Sequence, residues 1–549
     1  MGHSKFICRK AVALQTRSQA QVSADTAQEG PVADPTPSVH GPDRHWRAVV
    51  MITAALTALR LAALFATPLE LYPDEAQYWL WSRTLDWGYY SKPPMIAWLI
   101  WGTTRIGGDA EPWLRLSAPL LHALTTLCVY GVGRRLYGAA TGFAAAALYL
   151  LMPAVQLSSL VMATDAPLLA FLTLALLAYV ELPHAAGRRR LGLAAGLGVA
   201  MGLAFLSKYA AIYGLIGIGL HLALSREARA AWTPATAALA TGAGLLTLAP
   251  NLAWNAAHGF ATVQHTAANA AWGGRQLFNF AELGDFVASQ FGVFGPIPFA
   301  VLIGGTILLA SRRRLRSQDV LLLCFTLPPL LIVTGQSFIS RANANWSGAG
   351  YAPGAILVAA WLLRWRAKGW FIAALATQAA VAIVFLACVL NPAFADKAGL
   401  ANAFKRAKGW EQMTEAIAER ALREPKGSLD AVVVDDRFLF NAAAYYGRDY
   451  FGLDGEPPLR MWVRETHPQN QAETTAPLTA AHGRRVLVAS LDEVYQAEVM
   501  NDFRSVSSRE IVGVRLDRKR KRTAGLFIAE GFAPAPRDPV SGKPIPRRP

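Results

Sequence analysis

Residues 48–67 read AVVMITAALTALRLAALFAT, and this stretch decides the fold. Its length and apolar character match the ~20 residues that a helix needs to cross the hydrocarbon core of a bilayer. Arg44 and Arg47 come just before it. Because basic residues are held preferentially on the cytoplasmic side, the amino terminus of this span is predicted to face the cytoplasm. The sequence therefore predicts a membrane protein whose chain first emerges on the outer side.

The composition of the whole chain agrees with a membrane protein. Of the 549 residues, 53% are hydrophobic and 16% are charged, which makes the chain more apolar and less charged than soluble domains and argues against a soluble multidomain enzyme. The net charge of +16 would also suit a nucleic-acid partner, but the basic residues punctuate apolar runs, which favours the membrane. The four cysteines stand far apart and predict neither a disulfide framework nor a metal site.

Ten further apolar runs predict helices that cross the bilayer, so the count is about eleven spans with the first. They lie near 113–133, 139–160, 166–183, 191–206, 209–224, 232–249, 290–310, 319–336, 350–363 and 370–390. The run PPMIAWLIWGTTRIGG after Lys92 offers only about a dozen apolar residues before Arg105 and predicts a helix lying in the interface. The predicted fold class is a membrane all-α, polytopic helical bundle with interfacial helices in the first outer loop.

The distribution of basic residues tests this topology. Loops that the count places inside contain Arg134, Arg135, Arg188, Arg189, Arg190, Arg226, Arg229, Arg312, Arg313, Arg314, Arg316, Arg364, Arg366 and Lys368. If the run after Lys92 were a span, every later loop would change sides and these clusters would face outward. The positive-inside rule therefore supports the interfacial helix.

The chain divides into three predicted segments. Residues 1–45 are rich in Ala, Gln, Ser, Pro and charge and predict a disordered cytoplasmic tail. Residues 46–390 form the transmembrane domain. Residues 391–549 have ordinary soluble composition and predict a small α/β domain outside the membrane: GWEQMTEAIAERAL has helical periodicity, whereas LDAVVVD, RRVLVASL and TAGLFIAEGF predict strands. No catalytic motif stands out in this last segment.

Four polar features interrupt the pattern of apolar runs, and the predicted topology places all of them at the outer face. They are the pair Asp74 and Glu75, then Lys92, Asp165 and Lys208. Each has a structural alternative. The acidic pair follows Pro73, where negative charge suits the first turn of a helix; Asp165 could act as a helix cap; and both lysines could extend to the membrane surface.

Further outer loops contain His258, His265, Arg341, Asn345 and Trp346. Histidines seven residues apart do not match a zinc motif, and they are predicted to be solvated. Arg341 could contact a phosphate or a sugar. Asn345 and Trp346 offer the polar and stacking contacts that a carbohydrate ring uses.

Carboxylates and cations gathered at the outer surface suit an enzyme whose substrate is a lipid phosphate. With a sugar on a polyprenyl phosphate, cations would neutralise the departing phosphate and a carboxylate would accept the proton of the acceptor. The sequence contains no Walker-type phosphate loop, so no nucleotide cofactor is expected. Two other classes stay open: a lipid-linked sugar flippase or transporter, and a structural subunit whose outer domain binds partners.

The sequence DEAQYWLWSRTLDWGYYSKPPMIAWLI at 74–100, with WLRLSAPL, TDAPLL, LSKY and ANW after it, resembles the bacterial branch of the protein mannosyltransferase-like family of GT-C glycosyltransferases. That branch includes aminoarabinose lipid A transferases and lipopolysaccharide core galacturonosyl transferases, and the match covers most of 48–390. The C-terminal segment shows no resemblance that identifies an acceptor.

The resemblance implies an inverting displacement with Asp74 as catalytic base, Glu75 supporting it and Asp165 as a second acidic residue. It places Lys92, Lys208 and Arg341 at the donor phosphate, and Tyr90, Asn345 and Trp346 at the substrate. Whether a divalent cation joins Asp74 to the phosphate is left open. The implied partners are a polyprenyl-phosphate sugar and an envelope acceptor such as lipopolysaccharide, lipid A or a protein, without nucleic acid. The implied location is the bacterial inner membrane, with the site and the C-terminal domain periplasmic.

Overall fold

The computed structural model describes residues 44–268, 278–453, 456–539 and 542–545. Within these ranges, eight helices are long and apolar enough to cross a bilayer: Arg44–Ala66, Glu111–Tyr137, Asp165–His184, Gly187–Ser207, Pro234–Ala257, Ser317–Ile339, Ala344–Arg364 and Lys368–Leu390. The predicted tail 1–45 lies outside the described residues, apart from its last two residues, which begin the first helix. A helical membrane bundle is confirmed.

Three of the eleven predicted spans have a different form. The run at 290–310 is a pair of helices, Phe280–Phe294 and Pro296–Ser311, bent by 114°. The runs at 139–160 and 209–224 contain the shorter apolar helices Ala139–Leu151 and Tyr209–Leu224. By length and composition, the described residues thus contain eight crossing helices, or nine if the bent pair counts as one span.

The bend of the helix pair is fixed at Gly295. Its φ is +101°, a value that favours glycine because it has no Cβ. The carbonyl oxygen of Phe294 is left without a helical partner by the bend, and it accepts a hydrogen bond from Gln378 Nε2 at 3.0 Å. A periodicity argument detects an apolar run of the right length but does not detect such a turn within it.

The predicted span 139–160 is interrupted between Leu151 and Pro153, where a second helix, Pro153–Ser158, begins. The carbonyl oxygen of Leu150 accepts hydrogen bonds from Arg60 Nη2 at 2.7 Å and from Gln156 Nε2 at 2.9 Å. Arg60 is buried in the second half of the first span. The break thus provides acceptors for a charged side chain inside the bundle.

Helix ends that the charge pattern assigns to the inner side meet around Asp319, and we call this cluster the Asp319 end. Asp319 is fully buried and accepts hydrogen bonds from Arg364 Nη1 at 2.8 Å and Nη2 at 2.9 Å. Tyr137 Oη, Trp361 Nε1 and the backbone N–H of Arg316 also donate to it, at 2.8, 3.2 and 2.9 Å. These contacts join the ends of three different spans.

The first loop folds into two short helices, Pro73–Arg83 and Met95–Gly107. The second has 13 residues and is about 20 Å long, which is too short to cross the bilayer. Its buried residues Ile96 and Ile100 join Trp79 and Leu114 in one apolar cluster, and each such side chain contributes roughly 1.5–3 kcal/mol by leaving water. The loop is therefore a packed platform beside the spans.

The C-terminal region contains a six-stranded sheet in the order β2-β1-β3-β6-β4, with β5 also paired to β6. The strands are Ala431–Val434, Leu459–Met461, Arg485–Ser490, Phe503–Val506, Glu510–Arg515 and Lys521–Phe532, numbered β1 to β6. β1 pairs in parallel with β2 and β3, whereas β6 pairs antiparallel with β3, β4 and β5. The accompanying helices include Trp410–Leu422, Arg437–Tyr446, Gln471–Thr475 and Glu493–Met500. The predicted helix and three strands are present, so the α/β prediction is confirmed.

The helix Arg437–Tyr446 attaches this sheet region to the first loop. Tyr446 Oη accepts a hydrogen bond from the backbone N–H of Leu71 at 2.8 Å and donates to Glu111 Oε1 at 2.6 Å. Tyr445 Oη donates to the carbonyl of Asp109 at 2.7 Å, and its ring lies edge-on to Trp79 at 5.0 Å. The C-terminal region is therefore held directly against the loop that carries Asp74 and Glu75.

Candidate active site

Asp74 and Glu75 occupy the first turn of the helix Pro73–Arg83, as the sequence predicts, but their environments differ. Glu75 is fully buried. Its Oε1 accepts from Arg115 Nε at 2.9 Å and from the backbone N–H of Met162 at 2.7 Å. Its Oε2 accepts from Arg115 Nη2 at 2.8 Å and from the backbone N–H of Tyr72 at 2.9 Å. Each oxygen of Glu75 thus accepts two hydrogen bonds, which suits the predicted supporting role, whereas Asp74 is only half-buried.

Asp165, Lys208 and Asn345 come together from three separate segments. Lys208 Nζ lies 2.9 Å from Asp165 Oδ1, and Asn345 Nδ2 donates to Asp165 Oδ2 at 3.1 Å. Asp165 begins a span, Lys208 lies in the break after Ser207, and Asn345 lies in the 3-10 helix Ala344–Gly350 that opens the span Ala344–Arg364. The side chains of Asp165 and Lys208 keep 20% and 19% exposure, so a ligand can reach the pair.

Lys92 lies in the same electrostatic neighbourhood. Burial lowers the pKa of its ammonium group, the charge of Lys208 lowers it further, and Asp74 and Asp165 act in the opposite direction. Burial also raises the pKa of Tyr78 well above its usual range, and the charges of Asp74 and Asp165 add to the effect. We call the group Asp74, Lys92, Asp165, Lys208 and Asn345 the acidic-basic site.

The other predicted residues occupy different positions. Tyr90 faces the C-terminal region: its backbone N–H donates to Gln471 Oε1 at 2.8 Å and its hydroxyl donates to the carbonyl of Pro468 at 2.9 Å. Trp346 is half-buried and follows Asn345 directly. Arg341 is exposed, and within the described residues its side chain makes no hydrogen bond or ion pair with the acidic-basic site.

His265 differs from its expected solvated state. It is half-buried, and its ring faces that of Tyr90 at 5.7 Å. Burial lowers the pKa of His265 to about 4, and the charges of Lys92 and Arg437 contribute to the decrease. The imidazole is therefore neutral near pH 7 and lies within reach of the charges of the site.

Two arginines near the site were not predicted. Arg115 orders the loop through Glu75 and donates from Nη2 to the carbonyl of Glu70 at 2.8 Å. Arg437 begins the helix Arg437–Tyr446 of the C-terminal region, and its guanidinium lies 4.6 Å from the ring centroid of Phe438. The charge of Arg437 also acts on Lys92. The motif WLRLSAPL contains Arg115, which is a weak signal, but no pattern marked Arg437.

The described residues contain no group of three or more His, Cys, Asp and Glu side chains that could hold a metal ion. Asp74 is therefore not part of a set of three such side chains within this part of the chain. A divalent ion there would need oxygens from a bound phosphate or from water to complete its coordination.

Comparisons with known proteins agree with this architecture. Residues 91–254 match the family described as dolichyl-phosphate-mannose-protein mannosyltransferase. The lipid A galacturonosyltransferase RgtD of Rhizobium johnstonii is 34% identical over 404 residues, which cover 73% of this chain and 83% of that protein. The crystal structure of ArnT from Cupriavidus metallidurans in the apo state has a TM-score of 0.60 at 15% identity and covers 88% of this chain and 98% of that chain.

A second ArnT structure, bound to undecaprenyl phosphate, has a TM-score of 0.59 at 16% identity, with 87% and 98% of the two chains covered. At this identity the two structures establish the fold. The 34% identity with RgtD over 73% of this chain, together with the family match, makes the protein a membrane glycosyltransferase, and its fold is that of the GT-C class. Within that class, the chain belongs to the bacterial branch of the protein mannosyltransferase-like family.

Proposed function

We propose that this glycosyltransferase moves a sugar from a polyprenyl-phosphate donor to lipid A on the periplasmic face of the inner membrane. The observation that carries the proposal is the ion pair of Lys208 and Asp165 at 2.9 Å, at the end of the bundle opposite the Asp319 end, where the charges of Asp74 and Asp165 also act on the partly buried Lys92. The name of the relative RgtD supports lipid A as acceptor and galacturonic acid as the first sugar to test. The ArnT complex supports a polyprenyl phosphate as the lipid carrier.

The reaction that this arrangement suits is a single displacement. Asp74 takes the proton of an acceptor hydroxyl, whose oxygen attacks the anomeric carbon of the sugar. The new carbon–oxygen bond forms as the bond from that carbon to the phosphate oxygen breaks, and the polyprenyl phosphate leaves. Attack from the opposite side inverts the anomeric centre. Lys92 and Lys208 stabilise the charge that develops on the phosphate.

Asp165 completes this assignment. Its two oxygens hold Lys208 and Asn345, so it orients an ammonium group that would otherwise move freely on a flexible chain. The periplasmic location rests on the predicted topology, since the basic clusters lie at the opposite ends of the spans. Glu75 and Arg115 keep the loop in place and do not contact the reacting atoms.

The experiment supplies membranes containing the protein with polyprenyl-phosphate galacturonic acid and lipid A, and follows lipid A by mass spectrometry. We expect the mass of one galacturonic acid to be added by the wild type. Asp74→Asn should lower transfer at least ~100-fold because it removes the base. Asp86→Asn is the matched control, since Asp86 is an exposed carboxylate in the same loop. Retained transfer in Asp74→Asn, or movement of the donor lipid without transfer, would contradict the proposal.

A further inference from the structure

A cavity of about 240 Å³ lies between the helix Pro73–Arg83 and the C-terminal region, outside the acidic-basic site. Its wall on the first-loop side includes Gln77, Trp81 and Thr84, and its opposite wall includes Asn441 and Gln471. Pockets for drug-sized ligands occupy roughly 300–1,000 Å³. This cavity is smaller and suits a single sugar ring.

The polar groups of the wall are only partly engaged. Gln77 Nε2 lies 3.4 Å from Ser91 Oγ, and Asn441 Nδ2 lies 3.4 Å from Gln77 Oε1; both distances are long for hydrogen bonds. Gln471 uses its Oε1 for the backbone N–H of Tyr90. In the described part of the chain, its Nε2 has no such partner. Amide groups with free capacity can bind sugar hydroxyls.

Trp81 is a buried aromatic residue of the wall. Its side chain is 3% exposed, and among the described atoms its Nε1 has no hydrogen-bond partner. The Trp81 ring is stacked on Tyr89, with centroids 4.7 Å apart. Aromatic walls with a polar edge are suited to the apolar face and hydroxyls of a sugar.

The chemistry of the cavity favours the acceptor over the donor. The donor carries a phosphate, which needs cations, but no lysine lines this cavity, and its one arginine, Arg83, is paired with Asp109 at 2.7 Å. Gln77 is three residues beyond Asp74, a rise of about 4.5 Å along the helix, and Trp81 is about 10 Å beyond it. A sugar ring in the cavity thus lies about the length of one further sugar ring from Asp74, the proposed base.

We propose that this cavity binds one sugar ring of a multi-ring acceptor, next to the ring that receives the new sugar. The inference rests on the proposed function, and it gives the C-terminal region a part in acceptor recognition. The ligand class is a hydroxyl-bearing pyranose portion of a glycolipid whose phosphate groups, where it has them, stay outside the cavity.

Two variants test the cavity through kinetics. Thr84→Trp fills the cavity, and within the described residues the Thr84 side chain makes no hydrogen bond that this change would remove. Asn441→Leu removes an amide group from the wall. Each should raise the KM for lipid A about tenfold, the scale of one or two lost neutral hydrogen bonds, with kcat and the donor KM unchanged. The control is Leu85→Trp, since Leu85 is 45% exposed and does not line the cavity. An unchanged acceptor KM in both variants, or a raised donor KM, would overturn the proposal.

A binding measurement separates this proposal from the proposed function. The probe is the water-soluble saccharide left after removing the acyl chains of lipid A, detected by saturation-transfer NMR with the whole protein and no donor. We expect binding to the wild type and to Leu85→Trp, and loss of binding in Thr84→Trp. If the wild type binds the probe but transfers no sugar, the proposed function fails and the cavity stands. If transfer occurs but Thr84→Trp binds the probe like the wild type, the cavity proposal fails.

Discussion

The two ends of the bundle each contain a buried or half-buried aspartate paired with a cation, and they use that pair differently. At the Asp319 end, the carboxylate is 0% exposed and receives five hydrogen bonds from three helix ends. At the opposite end, Asp165 is 20% exposed and its side chain holds one lysine and one asparagine. Both ends use an aspartate, but the two aspartates differ in the number of hydrogen bonds that they accept and in their exposure to solvent.

This difference separates a structural ion pair from a site that can change partners. A carboxylate whose acceptor positions are filled cannot bind a ligand without losing protein contacts, and removing its partner leaves an uncompensated buried charge. A partly exposed pair is held less tightly and is screened by water. Stability should therefore depend on Asp319, whereas turnover should depend on Asp165.

The largest expected effect on stability follows from breaking the ion pair at the Asp319 end. Asp319→Ala leaves Arg364 without its carboxylate, and we expect a loss of about 3–5 kcal/mol in the free energy of unfolding. Thermal unfolding in detergent and the yield of folded protein measure it. Arg189→Ala is the matched control, because Arg189 is 69% exposed in its pair with Glu181 and should contribute at most ~0.5 kcal/mol. Equal losses in both variants would contradict the role of burial.

At the acidic-basic site, a substitution should lower the rate of sugar transfer and leave the stability nearly unchanged. Asp165→Asn keeps the shape of the side chain but removes the charge that holds Lys208, so we expect kcat for sugar transfer to fall roughly 100-fold. The free energy of unfolding should change by no more than about 1 kcal/mol. Transfer kinetics and thermal unfolding of the same preparation test both parts. If Asp165→Asn unfolds as Asp319→Ala does, the distinction between the two ends is wrong.

A smaller effect is expected in the pH dependence of donor use. Burial and Lys208 lower the pKa of Lys92, so Lys92 loses its positive charge at a lower pH than a free lysine does. Donor affinity should be complete below this pKa and should decrease as the pH rises through it. Lys92→Arg keeps its charge and should extend activity to higher pH, whereas Lys92→Ala should weaken donor binding at every pH. Identical profiles of kcat/KM for the donor would remove Lys92 from the phosphate site.

The sequence was sufficient for the features that depend on local pattern. Apolar runs and basic loops predicted the bundle, the short run after Lys92 predicted a helix that does not cross, and short apolar segments predicted β1, β3 and β6. It was also sufficient to select Asp165, Lys208 and Asn345, which the structure joins by hydrogen bonds.

Features that depend on distant pairs could not be predicted in this way. Arg115 meets Glu75 across 40 residues, and Asn441 meets Gln77 across 364. Nothing in either local pattern specifies the partner, because helical periodicity defines a face of a helix but not what packs on it. The 114° bend at Gly295 is likewise set by one glycine within a run that has span-like composition.

The buried Arg60 has a consequence for how the protein is made. Its two acceptors, the carbonyl of Leu150 and Gln156 Oε1, lie 90 and 96 residues later in the chain. During synthesis at about 5–20 residues per second, the first span leaves the ribosome several seconds before those groups exist. An arginine at the centre of a helix costs about 2.5–3.5 kcal/mol during insertion. The first segment therefore enters the bilayer before the hydrogen-bond acceptors of Arg60 have been synthesised. Its final position in the bundle is fixed only when the later segments are inserted beside it.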